Sequence, residues 1–513
     1  MKRLRKILKF VCSRNSLYIF MMLVQVCFLV WAVLLLREHF AFVYAGLLGL
    51  NAVLIVYITN RNENPSYKMA WLIIIAILPI FGGLAYLYLK TRLDSRQFFK
   101  RYEKKVASTT GLLKQDLSTL DCLKDMDQHI FNLSYYVEQC GFPIYTDTAV
   151  TYFPLGEDQF LAMKEELRRA KKFIFIEYFI VSPGKMWGEL LEILKERASA
   201  GVEIRLMYDG IGTQFFVPKS MFQNLSKYGI QCKVFNPFRP FLSSAQNNRD
   251  HRKILVIDGH TAFNGGTNIA DEYINELNRF GHWKDTAVML KGAAVRNFTL
   301  MFLHLWDMSD CSNQNYEQYL QASIPNTITY SDGFVQPFGD DPINEEHIGD
   351  SVYLELIHGA KRYVYIETPY LIPDYELLTA LQLAAKKGVD VRIITPYHED
   401  KWYCHMIAWK YYQDLLGSGV KIYEYTPGFI HAKCFVVDDE IAVLGTINLD
   451  FRSLYLHFEC ATLFYRNSAI QDMLYDFLLT QEKSQQITLE DCHARPLVKR
   501  ACSYFLALLS PML

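Results

Sequence analysis

His251-Arg252-Lys253, Asp258 and Gly265-Gly266-Thr267-Asn268 return 180 residues later as His431-Ala432-Lys433, Asp438 and Gly445-Thr446-Ile447-Asn448. In both copies Lys stands two after His, Asp five after Lys and Asn ten after Asp. A chain that repeats polar residues in this register is constrained to fold as two similar halves. The repeat reaches apolar segments as well. Phe173-Ile174-Phe175-Ile176-Glu177 matches Tyr363-Val364-Tyr365-Ile366-Glu367, and Gly201-Val202-Glu203-Ile204-Arg205 matches Gly388-Val389-Asp390-Val391-Arg392. The offsets are 190, 187 and finally 180, so loops change length while the order of elements is kept. A period this long is not that of a solenoid and fits two similar domains. Strands alternating with helical patterns in each half predict an α/β layered fold.

HRKILVID and HAKCFVVD read as strands, rich in β-branched and apolar residues. Positions i and i+2 of a strand face the same way, so each His projects beside its Lys. The following AFNGGTN and AVLGTIN read as return strands that bring an Asn amide and small residues near the same spot. Lys offers charge, Asn neutral donors, and Gly or Thr leaves room for a phosphate. His titrates near neutrality and serves as nucleophile, base or acid. A phosphodiester needs an attacker, a leaving-group acid and cations against transition-state charge. Two copies of the pattern supply all three with neither metal nor cofactor. A lone His-x-Lys on a strand carries little weight; the doubled pattern in register does. Asp258 and Asp438 each precede a turn, where Asp is favoured for backbone bonding, so they are open to structural support or direct chemistry. Asp285 and Glu459 lie about thirty residues past the motif histidines. An acid so placed can fix a histidine's tautomer, or be an ordinary surface carboxylate.

Three apolar runs, near 17–36, 41–58 and 69–89, predict N-terminal transmembrane helices. Together they make 1–90 a membrane anchor, followed by a charged linker over 91–140. The halves then occupy 141–321 and 351–513, joined by a Ser-, Pro-, Gly- and Asn-rich connection over 322–350. Lys2, Arg3, Arg5, Lys6, Lys9 and Arg14 place the N-terminus inside, and the cations from Lys90 to Lys105 ask the same of the segment after Leu89. Three full spans cannot satisfy both, so one run is expected to be re-entrant or interfacial, or the first cluster is overridden. A formal net charge of −1 gives no general attraction for nucleic acid. The eleven cysteines contain no Cys-x-x-Cys pair and predict neither zinc site nor disulfide framework. Phe235–Asn248 reads as a substrate-side loop or an ordered surface loop. Pro496–Leu513 reads as a helix packed on the domain or lying at a membrane interface.

The paired H-x-K-x4-D signature resembles the phospholipase D superfamily. HRKILVIDGHTAFNGGTNIADEY, HWKDT, GTINLDFRSLYLHFE and the terminal LALLSPML resemble the bacterial cardiolipin synthase family within it. The resemblance runs from near Trp71 to the C-terminus. It implies two similar phospholipase D-like α/β domains with the active site at their interface. It also implies transfer of a phosphatidyl group between two phosphatidylglycerol molecules, giving cardiolipin and glycerol at a bacterial cell membrane, with the catalytic domain facing the cytoplasm. On this pattern the catalytic set is His251, Lys253, Asp258, His431, Lys433 and Asp438. His251 would form a covalent phosphohistidine, and His431 would act as acid and then base. Asn268 and Asn448, with the two lysines, would hold phosphate oxygens, and Asp285 and Glu459 would support. The hydroxyl of the Gly-rich turn stands one position later in the first copy (Thr267) than in the second (Thr446). A phospholipase D-type hydrolase, a transferase with another donor or acceptor, a nuclease and a membrane scaffold are the competing readings.

Overall fold

Buried, β-branched-rich segments pair into two open sheets of matching order. The structure, a computed structural model, describes residues 40–512 except 80, 91–92, 215–216, 218, 238–246, 309–314, 322–331 and 344–345, together with Cys27 and Val30. The chain divides into an N-terminal unit ending at Arg96 and a larger unit from Gln97 to Pro511, residues 238–247 excepted.

In the larger unit the first sheet runs, edge to edge, Thr148–Phe153, Ala287–Gly292, Thr261–Gly265, Lys253–Ile257, Phe173–Tyr178, Glu203–Asp209 and Ile230–Phe235. The second repeats that order with Phe334–Asp340, His457–Tyr465, Ile441–Gly445, Cys434–Val437, Tyr363–Glu367, Asp390–Pro396 and Lys421–Tyr425, then adds Ser484–Ile487. In each sheet the last three matched strands are parallel, and the motif strand pairs antiparallel with its neighbours. The motif strands are buried throughout, as expected of strands covered on both faces.

The halves pack together as one compact unit. One apolar core contains Phe175, Ile254, Val256 and Phe298 of the first half with Cys434, Val436, Ala442 and Phe464 of the second. Two short strand pairings also cross between halves. Arg249–Asp250 lies parallel to the start of His457–Tyr465, and Gly428–Ile430 lies parallel to His282–Lys284.

Some expected boundaries change. Residues 117–139 of the expected linker form two helices, Leu117–Met126 and Gln128–Gln139, capped by Asp116 and Asp127. Leu133 and Val137 of the second helix pack into the core of the second half. The expected connection contains Phe334–Asp340, whose seven residues are all buried as the edge strand of the second sheet. Its Pro337 and Gly339 look loop-like in sequence, yet an edge strand tolerates both. Residues 322–331 of that connection, and 238–246 of the aromatic loop, lie outside the described residues.

Among the described residues no helix is long and apolar enough to cross a membrane, which departs from the transmembrane helices expected over the second and third runs. The first apolar run and the N-terminal cation cluster lie outside the described residues, save Cys27 and Val30. The second run forms the helix Phe40–Thr59, interrupted in character by Asn51, whose side-chain amide donates to the Pro79 carbonyl at 2.6 Å. The third is broken at Pro79 into Pro65–Ile77 and Gly82–Lys90, of 13 and 9 residues. At about 1.5 Å per residue, neither approaches the ~30 Å of a bilayer core. Leu54, Ile58, Ile75 and Tyr86 form a small core among these helices instead.

Candidate active site

The crossed strand pairings bring the two motifs together. The His251 amide donates to the Phe458 carbonyl at 2.9 Å, and the His431 amide to the Lys284 carbonyl at 2.7 Å. Each histidine is thereby set one residue from the acid of the other half. His251 Nδ1 lies 2.8 Å from Glu459 Oε1 and 3.0 Å from Oε2. His431 Nδ1 lies 2.7 Å from Asp285 Oδ2. With Nδ1–H donated to a carboxylate, Nε2 of each ring carries the lone pair.

Lys253 Nζ donates to the His251 carbonyl at 2.5 Å, and Lys433 Nζ makes the same bond to His431. Both ammonium groups are almost fully buried. Burial lowers Lys253 to about 8 and Lys433 to about 7, against the carboxylates that raise them. Burial also drives both histidines well below the ordinary imidazole range, and the two lysines add to the fall. Asp285 is pushed up to about 7 by burial, opposed chiefly by Lys433. The centre therefore holds cations at the edge of deprotonation, and a neighbouring anion would favour their charged forms.

Asn268 and Asn448 are both buried. Asn268 Oδ1 accepts from the Ile180 amide at 3.0 Å, and its Nδ2 donates to Tyr273 Oη at 2.7 Å. Asn448 Nδ2 donates to Ser453 Oγ at 2.9 Å. Each amide carries two hydrogens, so each keeps one beyond these bonds.

Asp258 and Asp438 are not brought to the centre. Each stands in a left-handed turn, at φ 53° and 55°. The Asp258 carboxylate accepts from the backbone amides of Lys171, Lys172 and Phe173 at 2.7–2.9 Å. Asp438 accepts from those of Lys361, Arg362 and Tyr363 at 2.7–2.8 Å. Five residues along a strand is about 17 Å, so these acids clamp the far end of each motif strand.

Five residues not singled out as site members stand here. Thr446 Oγ1 donates to Glu459 Oε2 at 2.5 Å. Gly266 replaces it in the first half, where an added Cβ would lie 2.0 Å from Asp285 Oδ1. The offset of the hydroxyl between the two copies thus tracks the exchange of Asp for Glu. Phe179 meets the His251 ring edge-on at 5.0 Å, and Tyr273 meets His431 at 5.5 Å. His457 stands 5.5 Å from the His251 ring, its Nδ1 3.6 Å from Glu459, and burial lowers it to about 3. Aromatic residues before turns occur throughout this chain, so sequence alone carried no signal for Phe179 or Tyr273.

Comparison with known proteins matches the same two halves. The family model described as "Cardiolipin synthase, PLD-like domain" matches residues 163–306 and 353–478, and a "Phospholipase_D-nuclease N-terminal" model matches 49–90. A cardiolipin synthase of Geobacillus kaustophilus is 35% identical over 484 residues, 91% of this chain and 94% of that protein. One from Halalkalibacterium halodurans is 34% identical over 465 residues, covering 90% and 91%. A crystal structure of phosphatidylserine synthase from Haemophilus influenzae Rd KW20 aligns with 74% of this chain and 99% of that one, at TM-score 0.55 and 14% identity, a likeness of fold.

Proposed function

The chain belongs to the cardiolipin synthase family of phospholipase D-like phosphatidyltransferases, and from that premise we propose that it transfers a phosphatidyl group from one phosphatidylglycerol to another, releasing glycerol. The observation that carries this reading is the pair of buried histidines, each bonded through Nδ1 to a carboxylate of the opposite half.

His251 Nε2 attacks phosphorus, and the bond to the glycerol oxygen breaks as His431 delivers a proton to that oxygen. The anionic phosphodiester between Lys253 and Lys433 offsets the positive surroundings that otherwise keep His431 neutral, and so favours the imidazolium the step requires. The product of this half-reaction is a phosphatidyl group on His251 Nε2. A glycerol hydroxyl of the second phosphatidylglycerol then loses its proton to His431 and attacks phosphorus, expelling His251. Lysine charge and the remaining Asn268 and Asn448 hydrogens hold the non-bridging oxygens through both steps. Glu459 and Asp285 keep Nδ1–H in place and stabilise each imidazolium as it forms. Membrane attachment through residues 1–90, with the larger unit facing the cytoplasm, belongs to the same proposal and draws on the apolar runs of the sequence.

The test supplies labelled phosphatidylglycerol to membranes containing wild type, His251→Ala or His431→Ala. Cardiolipin and free glycerol from wild type alone are expected. Phosphatidic acid from wild type would make the enzyme a hydrolase, and cardiolipin from either variant would overturn the shared site.

A further inference from the structure

The helix Leu497–Leu509 is amphipathic in the wrong sense for a helix that merely covers a core. It packs on the helix Trp402–Leu416, and there it buries Ser503, followed by Ser510 just beyond its end. Its outward face carries Leu497 at 78% exposure, Val498 at 74%, Phe505 at 60% and Leu508 at 53%. At about 100° per residue these four fall on one continuous side. Exposed contiguous apolar faces mark surfaces that meet another apolar phase.

Charge identifies that phase. From Arg495 to Leu513 the chain holds Arg495, Lys499 and Arg500 and no carboxylate side chain. Arg495 is stacked over Trp409, which leaves Lys499 and Arg500 on the helix itself. An apolar face flanked by cations fits the boundary between headgroups and acyl chains of an anionic bilayer. The supporting helix begins at Trp402, itself 58% exposed, a residue type that favours that boundary. Just before it, Lys401 lines a cleft with Tyr370 and Phe429, and the Phe429 ring lies 6.0 Å from that of His431. The outward face and the active site are thus joined by one helix of 15 residues.

We propose that the outward face of Leu497–Leu509 seats in the surface of an anionic phospholipid bilayer, and through the helix Trp402–Leu416 holds the active site at the level of the headgroups. The inference rests on the lipid-substrate reading above.

The test reconstitutes the full chain in phosphatidylcholine vesicles containing phosphatidylglycerol with a photoactivatable acyl chain. Wild type and a Leu497→Ser, Val498→Ser, Phe505→Ser variant are compared, the substitutions lying on exposed positions that leave the melting temperature unchanged. Lipid adducts on the peptide 496–509 are expected in wild type and not in the variant. The variant is also expected to turn over vesicle phosphatidylglycerol roughly tenfold more slowly or worse, while short-chain phosphatidylglycerol below its micelle concentration reacts at the wild-type rate. Absence of adducts, or cross-links joining two copies through this helix, would overturn the proposal. Adduct formation needs no turnover, so adducts on a chain that makes no cardiolipin would sustain the surface and sink the substrate reading instead.

Discussion

His251 of the first half is bonded to Glu459 of the second, with Nδ1 2.8 Å from Oε1, and the reciprocal bond joins His431 to Asp285 at 2.7 Å. Neither motif histidine takes its bonded acid from its own half. The crossed strands, Arg249–Asp250 on His457–Tyr465 and Gly428–Ile430 on His282–Lys284, are what impose the exchange.

Replacing either acid by its amide should disable the histidine of the opposite half. Asp285→Asn would present an amide where His431 needs an acceptor for Nδ1–H, and a flipped tautomer loses activity by about 10³–10⁴-fold. Because His431 is assigned to the second step as well as the first, quenched reactions of Asp285→Asn should show residual phosphatidyl-enzyme trapped on His251. Glu459→Gln should show none. Equal labelling of the two variants would sink the assignment of roles.

The pH profile follows from the lysines. Lys433 titrates at about 7 and Lys253 at about 8 in the unliganded centre, and both are charged below those values. In the proposed reaction the charged forms hold the phosphodiester, so kcat/KM should fall as pH rises through 7 to 8. Inhibition by inorganic phosphate should weaken over the same interval. A kcat/KM that climbs steadily from pH 7 to 9 would contradict buried, easily deprotonated lysines.

Asp258→Ala should act on stability before chemistry. Its carboxylate accepts three backbone amides, and their loss should cost about 3 kcal/mol or more. Thermal melting should fall by several degrees, while protein that remains folded at low temperature keeps a turnover within about threefold of wild type. A folded, normally stable variant without activity would return Asp258 to the reacting centre.

The turn before each Asn predicts a graded pair. Thr446→Val removes one donor to Glu459 and should slow turnover by about tenfold, as one hydrogen bond to a charged group warrants. Gly266→Ala drives a methyl to 2.0 Å from Asp285 Oδ1 and must displace that acid. Its rate should approach that of Asp285→Asn. Kinetics of the two single variants on the same lipid decide the order.

The doubled motif made the His, Lys and Asn positions readable, although the expected strands begin only at Lys253 and Cys434 and leave both histidines, Lys433 and both Asn residues outside them. The matched order of apolar segments likewise announced two similar sheets. Which acid serves which histidine was not readable: each candidate follows its own motif in sequence, and only the crossing of short strands pairs it with the other. Asp258 and Asp438 share the motif's spacing yet face away from its chemistry, since conformation at the turn and three amide donors account for them. Hydropathy marked 69–89 as one span because it averages over Pro79, where the backbone breaks. It saw the composition of Phe334–Asp340 as linker-like because edge strands admit Pro and Gly.

The exchange of acids also sets a schedule for synthesis. When His251 leaves the ribosome, the carboxylate that will orient it is still 208 residues away in the growing chain. Until the second half is made and folded onto the first, His251 lacks the carboxylate that holds its Nδ1, and the proposed nucleophile is not oriented. On the proposed mechanism, reactivity waits for the second half.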